Sequence, residues 1–481
     1  MQTSNPISKM ELDGPMTRLE LRASLSLAAI YMLRMLGMFL ILPVFAIMAR
    51  DLPGATPFLV GLAISAYGLT QAVFQIPFGL WSDRLGRKPV IALGLVLFVA
   101  GSALAAVSET IYGVILGRAL QGAGAVAAVV MALAADLTRE EHRTKAMALI
   151  GISIGVSFAL SMVLGPLFAN WLGLRGLFWL ITLLAGLSIV VLFTWVPNPA
   201  VSRFHRDTQV WTAAFGRVLR NGELLRLDFG IFSLHLILTA SFVVLPVILK
   251  DHLQLPAQDH WQIYLPVFVL AIASMIPFVI LAEKKRKMKP VFLAFVFLIV
   301  VADAGFIFAG DRFWWVFGLL YLFFTGFNLL EATLPSMVSK CAPADLKGTA
   351  MGIYSTSQFL GAFAGGTGAG WLSGHYGLSS VFMYCVAAGS AWFLVAISMK
   401  PPRHLSSLLI NVGVCSKSKA QALGQSLLGL EGVHEAVVVA EEGVAYLKVD
   451  RRQLEVGALE RLIGADSTLE SARDIPVPHE A

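Results

Sequence analysis

Twelve stretches of this 481-residue chain are predominantly apolar over about 20 residues, the length of α-helix that crosses the ~30 Å hydrocarbon core of a bilayer. They read, within a few residues, as 25–48, 58–81, 90–108, 111–135, 146–170, 177–196, 227–249, 261–282, 291–309, 313–338, 349–371 and 378–399. In lipid each backbone polar group must be satisfied within its own segment, so runs of this length predict membrane-spanning helices. Only 14% of the residues are charged, against roughly 25% in a soluble protein, which excludes a water-soluble enzyme of this length. Mostly polar residues 1–24 precede the first run, which is long enough to cross the bilayer, so it is expected to stay rather than be cleaved as a signal peptide.

Lys and Arg in alternate loops set the orientation. One side carries 21 of them and the other carries 4, namely Arg50, Arg175, Lys250 and Arg312, which predicts both termini in the cytoplasm. The longest internal connection, 197–226, holds Arg203, Arg206, Arg217, Arg220 and Arg226 and divides the spans six and six. Two six-helix halves around a basic linker suggest a duplicated transporter with its substrate site near the midplane. The net charge of +6 is spread over these loops, so no nucleic-acid partner is expected. Cys341, Cys385 and Cys415 lie far apart without metal-ligand spacing, and no His/Asp/Glu constellation suggests a membrane-embedded enzyme; neither metal nor cofactor is expected.

Between spans 2 and 3 stands Gly79-Leu80-Trp81-Ser82-Asp83-Arg84-Leu85-Gly86-Arg87-Lys88. Gly86 permits a tight reversal, Gly79 lets another backbone approach, and Asp83, at the unfavourable negative end of its helix, needs a partner. The run closely resembles the G-x-L-a-D-R-x-G-R-K signature, motif A, of the major facilitator superfamily. That resemblance implies a conformational latch built from Gly79, Asp83, Arg84, Gly86, Arg87, Lys88 and Asp136, facing Gly348 and Thr349 at the start of span 11. The loop Glu283-Lys284-Lys285-Arg286-Lys287 occupies the matching place in the second half but lacks the glycines. In span 4, Arg118 to Ala125 is similar to the family segment whose arginine is linked to proton coupling. In span 5, Gly151, Gly155, Gly165 and Pro166 resemble the family's antiporter segment, although Leu167 and Phe168 replace its usual small residues. Close helix packing by small residues is the other reading of these glycines.

Arg34, Arg118, His235, Asp303 and Glu331 lie within apolar runs, where an ionisable group costs at least about 2.5 kcal/mol and is a functional candidate by default. In the family, spans 1, 4, 7 and 10 line the central cavity, which implies cavity positions for Arg34, Arg118, His235 and Glu331 and weakens Asp303. A carboxylate in a low-dielectric cavity favours its neutral form and can exchange a proton, so Glu331 leads the proton-coupling candidates. Pairing of Glu331 with a loop lysine, and of His235 with packing neighbours, are the alternatives. Tyr31, Gln71, Gln121, Phe324, Asn328, Tyr354 and Gln358 could line a mixed aromatic and polar cavity suited to a small amphipathic substrate.

Beyond Lys400-Pro401-Pro402-Arg403, residues 405–481 hold 11 acids and 7 bases, unlike the basic chain before them. Strand 408–414, helix 418–430, strands 433–440 and 444–449, helix 454–463 and strand 468–473 give a ferredoxin-like order. This resembles heavy-metal-associated domains, but Cys415 stands alone where they carry C-x-x-C, so no copper or zinc is expected there. Self-association, ligand binding and docking beneath the membrane part are all open to residues 405–481.

The expected architecture is therefore an all-α membrane protein of twelve transmembrane helices in two six-helix lobes, plus a small α+β ferredoxin-like C-terminal domain. Its parts read as a cytoplasmic segment 1–24, lobes 25–196 and 227–399, linker 197–226 and the domain 405–481. The expected function is a proton-coupled efflux antiporter in a bacterial inner membrane, with small-molecule substrate, protons and the lipid bilayer as its partners. A facilitator, a proton symporter and a non-transporting sensor signalling through the tail are the alternatives.

Overall fold

The computed structural model describes residues 15–198, 215–343, 346–401 and 406–462, the last apart from 414, 441–442, 451–452, 455–456 and 460–461. Among the described residues, ten helices are long and apolar enough to cross a membrane. One of these makes two passes, because Glu140–Thr194 breaks at Gly173, whose φ of 66° favours glycine. The glycine-rich Lys347–Tyr376, 30 residues long, stands outside the ten by composition and completes twelve spans.

In chain order they are Arg18–Phe39 continued by Leu42–Met48 (span 1), Pro57–Leu85 (span 2), Arg87–Val107 (span 3) and Ile111–Ala123 with Ala127–Asp136 (span 4). The parts of Glu140–Thr194 before and after Gly173 are spans 5 and 6. Gly222–Val247 (span 7), Trp261–Lys284 (span 8), Met288–Ile307 (span 9), Phe313–Cys341 (span 10), Lys347–Tyr376 (span 11) and Leu378–Ile397 (span 12) follow. Large apolar side chains such as Trp314, 78% exposed, and Trp171, 74% exposed, point outward, an arrangement that only lipid can solvate.

Two boundaries differ from the sequence reading for local reasons. Span 1 starts at Arg18 rather than near 25, because Thr17 and Glu20 cap it reciprocally: Glu20 N donates to Thr17 Oγ1 at 3.2 Å and Thr17 N to Glu20 Oε2 at 2.8 Å. Span 4 is not continuous, since the backbone turns at Gly124 (ψ 56°) before helix resumes at Ala127. At Gly124 a Cβ would run into the Gly94 carbonyl oxygen, so the break lies where two backbones touch.

Spans 2 and 11 meet backbone to backbone along the half remote from the Gly79–Lys88 loop. A Cβ on Gly61 would collide with the Gly366 carbonyl and stand 2.8 Å from Gly370 Cα, and one on Gly68 would be 2.8 Å from Phe359 O. Ser65 and Thr367 exchange a hydroxyl hydrogen bond at 3.0 Å across this seam. At the same end Arg50 pairs with Asp251 at 3.0 Å, tying the ends of spans 1 and 7. Toward the motif loop, Gly79 and Gly352 have open space where a Cβ would sit.

The chain forms two compact units. The first holds Met1–Trp211, Leu225–Leu334 and Gly352–Met399; the second holds Thr212–Leu224, Pro335–Met351 and Lys400–Ala481. In the second, strands β1 (Ser406–Asn411), β2 (Val433–Val439) and β3 (Val444–Val449) form an antiparallel sheet in the order β1-β3-β2. Helix Lys417–Leu428, capped by Ser416, packs on it through Leu423 and Leu427 against Ile410, Ala445 and Leu447. This is a small α+β domain. The expected strand 468–473 lies outside the described residues, as does half of the expected helix 454–463, of which 457–459 and 462 are helical.

Lys448, in the central strand and 6% exposed, reaches out of the sheet to the carbonyl-rich end of span 10. Its Nζ donates to Lys340 O at 3.0 Å and to Ala342 O, and pairs with Glu435 at 3.3 Å. A cation at a helix C-terminus satisfies carbonyls left over by the helix and opposes the dipole. Lys448→Met should free segment 335–351 by about 1.5–3 kcal/mol, the worth of charge-assisted hydrogen bonds. Hydrogen exchange would then rise there at least several-fold; unchanged protection would show that the lysine holds nothing.

Candidate functional site

The motif loop is a charge cluster at the junction of spans 2, 3 and 4. Gly86, at φ 90°, turns the chain directly from span 2 into span 3, so Asp83 and Arg87 face each other across the corner. Arg87 Nη1 donates to Asp83 and, at 2.6 Å, to Ser82 Oγ, while its Nε reaches Asp136 Oδ2 at 3.1 Å. Lys88 caps the end of span 6 by donating to Val196 O at 2.6 Å, and Arg84 is exposed. The partner that Asp83 needs is therefore Arg87. The close approach expected at Gly79 is absent, because no backbone lies near it in this conformation.

A second cluster lies in the second half of the chain. Gln358 of span 11 places its amide nitrogen 2.8 Å from His235 Nε2 and 3.4 Å from Glu331 Oε1, and His235 Nε2 is 3.9 Å from Glu331 Oε2. Spans 7, 10 and 11 thus bring together three of the expected residues, and Glu331 meets an imidazole rather than a loop lysine. The Glu331 side chain is 35% exposed, while its Oε2 is buried without a hydrogen-bond partner among the described residues. A carboxylate beside an imidazole can hold a proton on either group, with the Gln358 amide bridging both. Asn328 and Glu331 are one turn apart on span 10, and the Asn328 amide nitrogen and the Tyr354 hydroxyl have no partner among the described residues.

A third cluster occupies the first half. Arg34 Nη2 donates to Tyr67 Oη at 2.8 Å, Gln71 Oε1 at 2.9 Å and Gly124 O at 3.1 Å. Arg118 donates to Gln121 Oε1 at 2.7 Å, Ala63 O at 3.3 Å and Ile64 O at 3.2 Å. Both guanidinium groups lie over the Tyr67 ring, 5.9 and 5.2 Å from its centroid. Tyr31 is 8% exposed, and Gln121 is anchored on Ser102 Oγ at 2.7 Å. The sequence reading passed over Tyr67, although its place four residues before Gln71 puts both on one helix face.

Several expectations are corrected. Arg34 and Arg118 do not line an open cavity; they are 1% and 4% exposed, enclosed by the spans they bond to. Phe324 is a packing residue, 4.4 Å ring to ring from Phe268 and in the aromatic cluster around Phe158, because an apolar ring is best placed among others. Gly155 faces open space rather than a neighbouring helix, whereas a Cβ on Gly165 would stand 2.9 Å from Pro43 Cγ, so span 5 packs on span 1 at Gly165-Pro166. Asp303 is wholly buried beside Cys385, with no hydrogen-bond partner among the described residues.

The profile of the Major Facilitator Superfamily matches residues 27–366 of the chain. The "Inner membrane transport protein YajR" of Escherichia coli is 49% identical over 440 residues, covering 92% of this chain and 96% of that protein. The "Multidrug resistance protein MdtH" of Cronobacter sakazakii is 26% identical over 352 residues, 71% of this chain and 84% of its own. Among solved structures, a bacterial homolog of the human lysosomal transporter Spinster, inward-facing and occupied, superposes with a TM-score of 0.65. It shares 13% identity and covers 80% of this chain and 98% of its own, a likeness of fold.

Proposed function

The chain belongs to the major facilitator superfamily, and from that membership we propose that it is a proton-coupled antiporter exporting small amphipathic molecules by alternating access. It is a multi-pass membrane transporter and not an enzyme. The observation that carries the finer reading is the Glu331–His235–Gln358 cluster, a carboxylate and an imidazole bridged by one amide within spans 10, 7 and 11. A proton held there is displaced when substrate occupies the neighbouring groups, and proton and substrate then cross in opposite senses. Likeness to a multidrug resistance protein and the packing of Gly165-Pro166 on span 1 favour export.

The lysine and arginine bias favours a cytoplasmic position for both termini and the motif loop, with parts 1–24, 25–196, 197–226, 227–399 and 405–481 as read from the sequence. On that orientation the glycine seam closes the outer side, and the conformation described faces inward. The Asp83–Arg87–Asp136 cluster then serves as the cytoplasmic latch of the opposite, outward-facing state. Arg87 already holds Asp83 and Asp136 in the conformation described, so a latch acts through a further contact that Asp83 gains only when the cytoplasmic ends close; Asp83→Asn should then lower the outward-facing population about fivefold or more, for a change near 1 kcal/mol. Inter-lobe distances between spin labels would read this; unchanged populations would contradict the latch.

The test of the function is proton movement in proteoliposomes holding the full chain and a luminal pH dye, challenged with pools of amphipathic compounds. Antiport requires that a transported compound drive protons the other way. Transport without proton movement would make the protein a facilitator, co-directional movement a symporter, and binding without transport a sensor.

A further inference from the structure

Two guanidinium groups lie buried in the first half of the chain, and among the described residues neither makes an ion pair. Every acceptor they bond is neutral: a tyrosine hydroxyl, two glutamine amides and three backbone carbonyls. Arg34 Nε and Nη1 have no hydrogen-bond partner among the described residues, although the residue is 1% exposed. A buried charge without a counter-charge costs several kcal/mol, and each unmet buried N–H adds to that.

The backbone adds to the same field. Arg34 reaches Gly124 O, which lies in the break of span 4, and the half-helix Ala127–Asp136 starts just beyond with no side-chain cap. A helix N-terminus carries partial positive charge, and broken helices in transporters direct such ends at anionic substrate groups. Arg34, Arg118 and this helix end are all positive and close together, whereas the acid of the transport machinery, Glu331, lies in the other half of the chain.

We propose that this pocket, Arg34 and Arg118 around Tyr67 at the span 4 break, binds the anionic group of the transported molecule, and that this group is a carboxylate. Carboxylate oxygens supply the acceptors that the unmet N–H groups of Arg34 lack, and the Tyr67 and Phe98 rings beneath the guanidinium, Phe98 at 5.5 Å, shield that contact from water and strengthen it. Tyr67 also meets Phe359 of span 11, 6.1 Å between rings, so the pocket is shut in this conformation and exchanges its ligand when the lobes part. The proposal rests on the transporter reading and narrows its substrate from amphipathic molecules to amphipathic organic acids. It does not depend on proton coupling.

The experiment is equilibrium binding, without any gradient, to the detergent-purified full chain, read as thermal stabilisation. The probes are benzoate, 1-naphthoate and indole-3-acetate, each beside its carboxamide, with sodium chloride titrated separately in a low-salt Hepes buffer. At least one acid should stabilise the protein with an apparent affinity tenfold or more above its amide, and Arg34→Gln should abolish that difference. Should Arg34→Gln fail to fold, Arg34→Lys keeps the charge, loses the planar donor set, and must weaken the acid while leaving the amide unchanged. Equal affinities for acids and amides would overturn the proposal, as would an acid preference that survives both substitutions. Stabilisation by chloride that no acid competes with would also overturn it, by making the pocket a resident inorganic anion site. A preference for acids in a protein that moves no protons would leave this site standing while removing the antiport reading.

Discussion

Glu331→Gln should abolish substrate-driven proton movement while leaving the protein folded and able to bind. The substitution keeps the length of the side chain and its capacity to bond Gln358, whose amide nitrogen lies 3.4 Å from Glu331 Oε1, but it removes the group that can take up and release a proton. His235, 3.9 Å away, then lacks the carboxylate that would stabilise its charged form. Uphill transport should fall to the level of empty liposomes, because without proton exchange there is no coupling to the gradient. Substrate equilibration down its own gradient should persist. Proteoliposomes with a luminal pH dye and a parallel substrate assay separate the two, and undiminished proton movement would assign the proton to another group, with Asp303 the next to test.

Gly61→Val should prevent closure at the seam and hold the transporter open on that side. The added Cβ meets only backbone atoms, the Gly366 carbonyl and Gly370 Cα and N at 2.8 and 3.0 Å, so no rotamer change relieves it. Overpacking of this kind costs about 1–3 kcal/mol, enough to move a two-state ratio roughly 5- to 150-fold toward the open seam. Spin-label distances between the Arg50 and Asp251 ends of spans 1 and 7 should lengthen, and turnover should fall by a comparable factor. Gly151→Val is the matched control, since a Cβ on Gly151 meets nothing within 4 Å. A Gly61→Val protein with normal turnover would show that the seam yields, and that closure does not depend on it.

Much of this was legible in the sequence because the bilayer imposes a single length on every crossing. The motif loop was legible too, since six fixed residues at one corner admit few geometries, and Gly86 at φ 90° does what its place in the sequence predicts. What escaped were features set by pairs of helices distant along the chain. Span 11 hides its role in a low apolar content, because Gly361, Gly365, Gly366 and Gly370 are there to admit the backbones of spans 2 and 7. The break at Gly124 and the enclosure of Arg34 and Arg118 depend on which helix lies alongside, and hydropathy carries no record of that. Phe324 shows the converse error, since an aromatic at a cavity-facing spacing reads the same whether it meets ligand or, as here, the rings of Phe158, Phe242, Phe268 and Phe323.

The seam between spans 2 and 11 has a consequence for the energy economy of the cell. Wherever two backbones lie in direct contact there is no room for a file of water molecules, and without such a file protons cannot hop across. Pro57 to Gly68 covers roughly 16 Å at 1.5 Å per residue, about half the thickness of the hydrocarbon core. Glycine in these positions is therefore electrical insulation as much as clearance for movement. A side chain at Gly61 would part the two backbones, and the joint would stay dry only if the parted helices repacked to the density they have now.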